Sequence, residues 1–262
     1  MMKTYYDDEL KTFTIYFDGG FLNKGKIKSI IESLKSNLFK KDVNLIVFDS
    51  DHDDFCLGHD IVELSNMDVT ESKMYAMLGQ ELIKIIKDSK KIFISKLSGK
   101  VFGPAFEIAL ATDIVLATED TKFAFPETEF GFLPAFGGTV LASRKVHENF
   151  VKFMTVTNEI VEVGELYCRG IVARIFKDKI ELDDYAIKMM KNINEKSLFA
   201  IGLAKETINN GIEIDLDKAL LLEQNAFAVA FSSYDKKEGM TAFVEKRKPL
   251  FKNRWEDFDE FF

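Results

Sequence analysis

The stretch IFISKLSGKVFGPAFEIALATDIVLA, Ile92–Ala117, holds a full alternation of element types. Ile92 to Leu97 is short, apolar and rich in β-formers, which reads as a buried strand. Ser98-Gly99 interrupts it. Gly103 leads straight into Pro104–Ala111, read as a short helix, since proline is favoured at the first helical position. Ile114 to Ala117 is strand-like again. Strand, helix and strand in such quick succession argue for an α/β core with buried strands.

The same alternation extends outward. Upstream, Lys11–Phe17 alternates and reads as a strand, and Asp18-Gly19-Gly20 as a turn. Ile27, Ile30, Ile31, Leu34 and Leu38 place a helix over Lys24–Phe39. Val43–Asp49 is a further buried strand and Ser50–Asp54 a polar loop. Met74, Met77, Leu78, Leu82 and Ile85 form a helical stripe over Val69–Lys87. Downstream, Phe123–Phe125 is a short strand candidate. From about Leu182 the pattern turns wholly helical, through Tyr185–Ile193, Leu198–Ile208, Leu216–Phe231 and Gly239–Lys248. An α/β part over residues 1–195 is thus followed by an all-helical part over 196–262. No internal repeat or low-complexity linker is evident.

Composition bounds the function. The chain has 262 residues, 47% hydrophobic and 30% charged, ordinary globular values. A net charge of −8 argues against a nucleic-acid partner, which would call for a basic surface. No apolar run approaches the ~20 residues of a membrane helix, and Met1–Leu10 is unlike a signal peptide. Cys56 and Cys168 show neither a disulfide framework nor metal-ligand spacing, and there are 3 histidines. A cytoplasmic protein with no metal is expected, both cysteines being small buried packing residues.

Three segments carry candidate chemistry. In Phe55-Cys56-Leu57-Gly58-His59-Asp60-Ile61, Gly58 either makes a sharp turn or frees a neighbouring N–H to bind an oxyanion. In Ser98–Ala109, a glycine opens a helix whose N-terminal N–H groups suit developing negative charge. Glu107, in its first turn, complements the helix dipole or takes part in chemistry. In Phe123–Thr139, Glu127 lies in a Phe- and Pro-rich stretch. There it is either a solvated turn residue or a carboxyl with a raised pKa, fit for acid–base work.

In order and spacing, the three segments together resemble the crotonase (enoyl-CoA hydratase/isomerase) superfamily. The similarity continues through Thr155–Val172 and through Glu238-Gly-Met-Thr-Ala-Phe-Val-Glu-Lys-Arg-Lys-Pro249, covering about residues 11–252. It implies a ββα spiral core with a C-terminal helical trimerisation region, trimers often pairing into hexamers. It implies an acyl-CoA or acyl-carrier thioester as substrate, coenzyme A arriving as part of it and no separate cofactor. The thioester anion would be held by two backbone N–H groups, the first that of His59. Glu107 and Glu127 would hold a water between them for syn addition across the α,β double bond. Cys56, Leu57, Gly58, Asp60 and Ile61 would run along the substrate. Phe243 and Lys246 match positions at the nucleotide end of CoA, in the family often from a neighbouring subunit.

The sequence departs from the pattern at Pro104, the position of the second N–H donor, because proline has no N–H. Gly103 or Ala105 would substitute through a shifted backbone, or a water or side chain would fill the role. His59 replaces a usual alanine, and its imidazole either lines the pocket, even supplying a donor there, or simply packs or faces solvent. The expected function is hydration or dehydration of an enoyl thioester. The alternatives are a specialised dienoyl-CoA hydratase, carrier-protein dehydratase, isomerase or hydrolase, or an acyl-thioester binder with little turnover.

Overall fold

Ile92–Leu97 lies in the interior of a six-stranded sheet, and its side chains divide between two cores. Phe93 and Leu97 enter one hydrophobic cluster and Ile94 the other. The next strand, Leu45–Ser50, divides the same way, with Ile46 and Phe48 on one face and Leu45 and Val47 on the other. This follows from the period of two in an extended chain. With both faces covered, such strands are near-continuously apolar.

The computed structural model describes residues 2–255. Its strands are β1 (Lys3–Asp7), β2 (Thr12–Phe17), β3 (Phe21–Leu22), β4 (Leu45–Ser50), β5 (Gly58–His59), β6 (Ile92–Leu97), β7 (Lys100–Phe102), β8 (Ile114–Thr118), β9 (Lys122–Ala124), β10 (Val161–Glu162) and β11 (Arg174–Phe176). Its helices are α1 (Lys24–Asn37), α2 (Ile61–Leu64), α3 (Val69–Asp88), α4 (Pro104–Ala111), α5 (Gly138–Lys145), α6 (Glu148–Thr157), α7 (Val163–Cys168), α8 (Lys179–Asn194), α9 (Leu198–Gly211), α10 (Leu216–Ser232) and α11 (Tyr234–Val244), with a 3-10 turn at Pro126–Phe130. The large sheet runs β1-β2-β4-β6-β8-β11, parallel except for β1 against β2. Smaller sheets pair β3 with β5, and β9 with β10 and β7.

The chain order shows a repeat that the sequence does not. β2-β3-α1, β4-β5-α2-α3 and β6-β7-α4 each give one strand to the large sheet and one to a small sheet before turning helical. This is the ββα spiral that the family resemblance implies. Each unit meets a different neighbour, so the backbone repeats while the side chains do not. The short second strands bring β5 and the start of α4 together, as Phe102 N–H donates to the Cys56 carbonyl at 3.1 Å.

Helix α8 covers the second face of the sheet through Leu182, Ala186 and Met190. Helix α9 is tied to the core by the buried Lys205, whose Nζ donates to the Ile86 carbonyl (3.0 Å), the Lys91 carbonyl (2.8 Å) and Asp113 Oδ2 (2.8 Å). Among the described residues no helix is long and apolar enough to cross a membrane. Cys56 is buried, but Cys168 is exposed at the end of α7, against the expectation that both are packed away.

Candidate active site

The start of α4 sets the site. Gly103 has φ +51, a region that L side chains rarely adopt, and a Cβ there would lie 2.5 Å from Glu127 Oε1. Only glycine allows the backbone to pass this close to the carboxylate. Gly103 is the helix cap, and its carbonyl accepts the Glu107 N–H at 3.0 Å. Its own N–H donates to the Ala124 carbonyl at 3.0 Å, so it is not free to replace the N–H that Pro104 lacks. Proline at the first helical position and glycine at the cap leave the first turn without a side-chain cap.

Glu107 points inward and is fully buried. Its Oε1 accepts the N–H groups of Phe136 (2.9 Å) and Gly138 (2.6 Å), the latter at the start of α5. Its Oε2 has no partner among the described residues. Burial, and then the nearby Glu127 charge, push the Glu107 carboxyl up to about 8, against the pull of the backbone N–H groups. Glu127, on the 3-10 turn, is 1% exposed, and neither carboxylate oxygen has a hydrogen-bond partner among the described residues. The structure thus brings the two glutamates together in a buried site.

The His59 side chain joins them. It is buried, with Nδ1 2.8 Å from the Tyr75 hydroxyl and Nε2 3.5 Å from Glu127 Oε1. Ligand-type atoms of His59, Glu107 and Glu127 all lie within 4.8 Å of one another. By type and distance these side chains could also hold a metal ion, the one such group among the described residues; the sequence led us to expect none. Tyr75 and the Phe136 and Gly138 N–H groups were not singled out from sequence. Backbone donors leave no mark in composition, and Tyr75 lies one residue off the stripe read on α3.

Beside His59 is a cavity of about 450 Å³, walled mainly by Leu64, Met67, Ala76, Phe132 and Leu133. Phe136 supports this wall because α3 has a glycine opposite it. A Cβ on Gly79 would lie 1.9 Å from the Phe136 ring.

The other expected contacts divide. Gly58 has φ +121 with nothing within 4 Å of the place a Cβ would take, so its backbone borders open space. Leu57 is half-buried, its N–H donating to the Gly20 carbonyl at 3.1 Å. Asp60 caps α2 by accepting the Glu63 N–H at 3.1 Å, and Ile61 opens that helix. Cys56 is withdrawn into the core. Its N–H donates to the Lys100 carbonyl (2.9 Å), its carbonyl accepts from Phe102, and burial pushes its thiol up to about 12. Phe243 is 85% exposed at the end of α11, Lys246 is exposed just beyond it, and neither lines the cavity beside His59.

Comparison with known proteins agrees with this geometry. The family model described as enoyl-CoA hydratase/isomerase matches residues 21–254. A crotonyl-CoA hydratase of Syntrophomonas wolfei is 33% identical over 79% of this chain and 79% of its own. A short-chain-enoyl-CoA hydratase of Clostridium acetobutylicum is 34% identical over 76% of this chain and 77% of its own. In fold, the crystal structure of an enoyl-CoA hydratase from Bacillus anthracis superposes with a TM-score of 0.88 at 23% identity, covering 97% of this chain and 99% of that one. On sequence match and architecture together, the chain belongs to the enoyl-CoA hydratase/isomerase family.

Proposed function

We propose that the chain is a hydro-lyase that adds water across, or eliminates it from, the α,β double bond of an enoyl thioester carried on coenzyme A. The observation that carries this reading is the buried pair Glu107 and Glu127, with three carboxylate oxygens unpartnered among the described residues. Two carboxylates this close in a buried site share a proton more readily than both ionise. The pair then takes a proton from water as its oxygen bonds to Cβ, and gives a proton to Cα. The pair's own proton count is unchanged over the cycle. The apolar cavity beside His59 suits a small acyl group, and the two relatives named above make crotonyl-CoA and short-chain enoyl-CoAs the first substrates to try.

Assembly belongs to the same proposal. Helix α10 buries no residue in the single chain, yet exposes Leu216, Leu220, Leu221, Phe227 and Phe231. Between α9 and α10 lies an apolar groove of about 580 Å³. This face fits the expected trimer or dimer of trimers, in which Phe243 and Lys246 would reach the CoA of a neighbouring subunit. The exposed Cys168 thiol suits a reducing, cytoplasm-like compartment.

The test follows loss of the conjugated thioester absorbance over a panel of enoyl-CoAs. Wild type is expected to turn over short-chain members. Glu107→Gln and Glu127→Gln should each lower kcat by about 10²–10⁴-fold, the range for general acid–base groups. CoA binding without turnover of any substrate would overturn the hydratase reading.

A further inference from the structure

Hydration of an enoyl thioester places negative charge on the thioester oxygen as the new bond forms at Cβ, so the site needs hydrogen-bond donors at that oxygen. At the end of α4 nearest the glutamates, two successive backbone positions supply no donor to a ligand. Pro104 has no N–H, and the Gly103 N–H is engaged by the Ala124 carbonyl. The side-chain donor at this point is His59. Its Cδ2 lies 3.6 Å from where a Cβ on Gly103 would be, alongside the Gly103-Pro104 backbone. Its Nε2 is buried without a hydrogen-bond partner among the described residues.

Two neighbours bear on the tautomer. The Tyr75 hydroxyl sits 2.8 Å from Nδ1, and burial holds the phenol far above its usual range, so it keeps its proton. If Tyr75 O–H donates to Nδ1, the imidazole proton must be on Nε2. The opposite tautomer would turn an Nε2 lone pair toward Glu127 Oε1 at 3.5 Å, which a carboxylate disfavours. With Tyr75 O–H as the donor, Nε2–H results, and the Glu127 carboxylate favours the same form.

Position supplies the third observation. His59 lines the apolar cavity, whereas Glu107 and Glu127, within 4.8 Å of that histidine, are not among the lining residues. An acyl group with its tail in the cavity and its double bond at the glutamates must pass the imidazole.

We propose that His59 is a catalytic residue whose Nε2–H donates to the thioester oxygen, taking the place of the backbone N–H that Pro104 removes, with Tyr75 as its positioning residue. This rests on the hydratase reading above, and the two can fail separately.

The experiment is a double-mutant cycle with two readouts. The first is kcat on crotonyl-CoA. The second, independent of turnover, is the red shift of a bound 4-dimethylaminocinnamoyl-CoA, whose chromophore responds to hydrogen bonds at its carbonyl. His59→Ala should lower kcat on the order of 10²-fold, the effect of removing one such donor, and shrink the red shift. His59→Gln, which keeps an N–H near Nε2, should retain much of both. Pro104→Ala keeps the proline Cβ position and restores an N–H. In the His59→Ala background it should recover most of the lost kcat and red shift, which a structural role for His59 would not produce. Tyr75→Phe should reduce the red shift in wild type but not in His59→Ala. An unchanged red shift in His59→Ala, or no recovery in the double variant, would overturn the proposal. Absence of turnover in wild type would count against the hydratase reading, and the red shift would still decide on His59.

Discussion

Burial keeps a proton on Glu107 up to about pH 8, and the same burial makes the folded state pay attention to pH. A carboxyl whose folded pKa is raised binds more protons folded than unfolded between its ordinary value near 4.5 and about 8. Its contribution to stability is then fully present at low pH and lost as pH rises through that window. We expect the stability difference between Glu107→Gln and wild type to grow in favour of the variant from about pH 4.5 to 8, then level off. Chemical denaturation at fixed pH values checks this, and a difference that does not vary with pH would contradict it. The two glutamates could be picked out from their place in the resemblance. The direction of the His59 side chain could not, because which face a strand residue presents depends on partners distant in sequence.

At the scale of elements, α3 shows how a pattern can be right in kind and wrong in phase. The periodicity of Met74, Met77, Leu78, Leu82 and Ile85 places a helix where one stands, but Met74 and Met77 are 57% and 58% exposed. The buried face runs through Tyr75, Gly79, Leu82, Ile83 and Ile86. Methionine on an exposed face looks like core, and a glycine in a helix looks like a defect. Here the glycine gives Phe136 its place. Gly79→Ala should drive a methyl group into that ring and destabilise the fold by about 1–3 kcal/mol in a urea melt. Phe136 also presents the N–H that holds Glu107, so the same variant should lower kcat. Full activity in Gly79→Ala would show that the loop accommodates the methyl group. Elsewhere β2, β4, β6 and β8 of the large sheet were legible because their burial leaves apolar runs, whereas the three-residue β11 was too short to read. The two-residue strands β3 and β5 are too short to show periodicity, and β1 is hidden by its mostly exposed, polar side chains.

For the whole molecule, the helical tail was legible as helix, but not in its division of labour. Helix α9 is anchored inward through Lys205, while α10 turns its apolar side chains outward. If α10 packs between subunits, a charge there should act on assembly before it acts on the fold. We expect Leu220→Asp to sediment as a smaller species than wild type, with the α/β part still folded by circular dichroism. Unchanged sedimentation would place the interface elsewhere. One arrangement in the site reaches further than any single assay. Glu107 is gripped by main-chain N–H groups at residues 136 and 138, whereas the cavity beside His59, proposed above for the acyl group, is shaped by the nearby side chains Phe132 and Leu133. The grip and the mould are made of different atoms, so drift in those side chains can recut the mould for another acyl group while the grip is inherited intact. Such a chain can change its diet without relearning its chemistry.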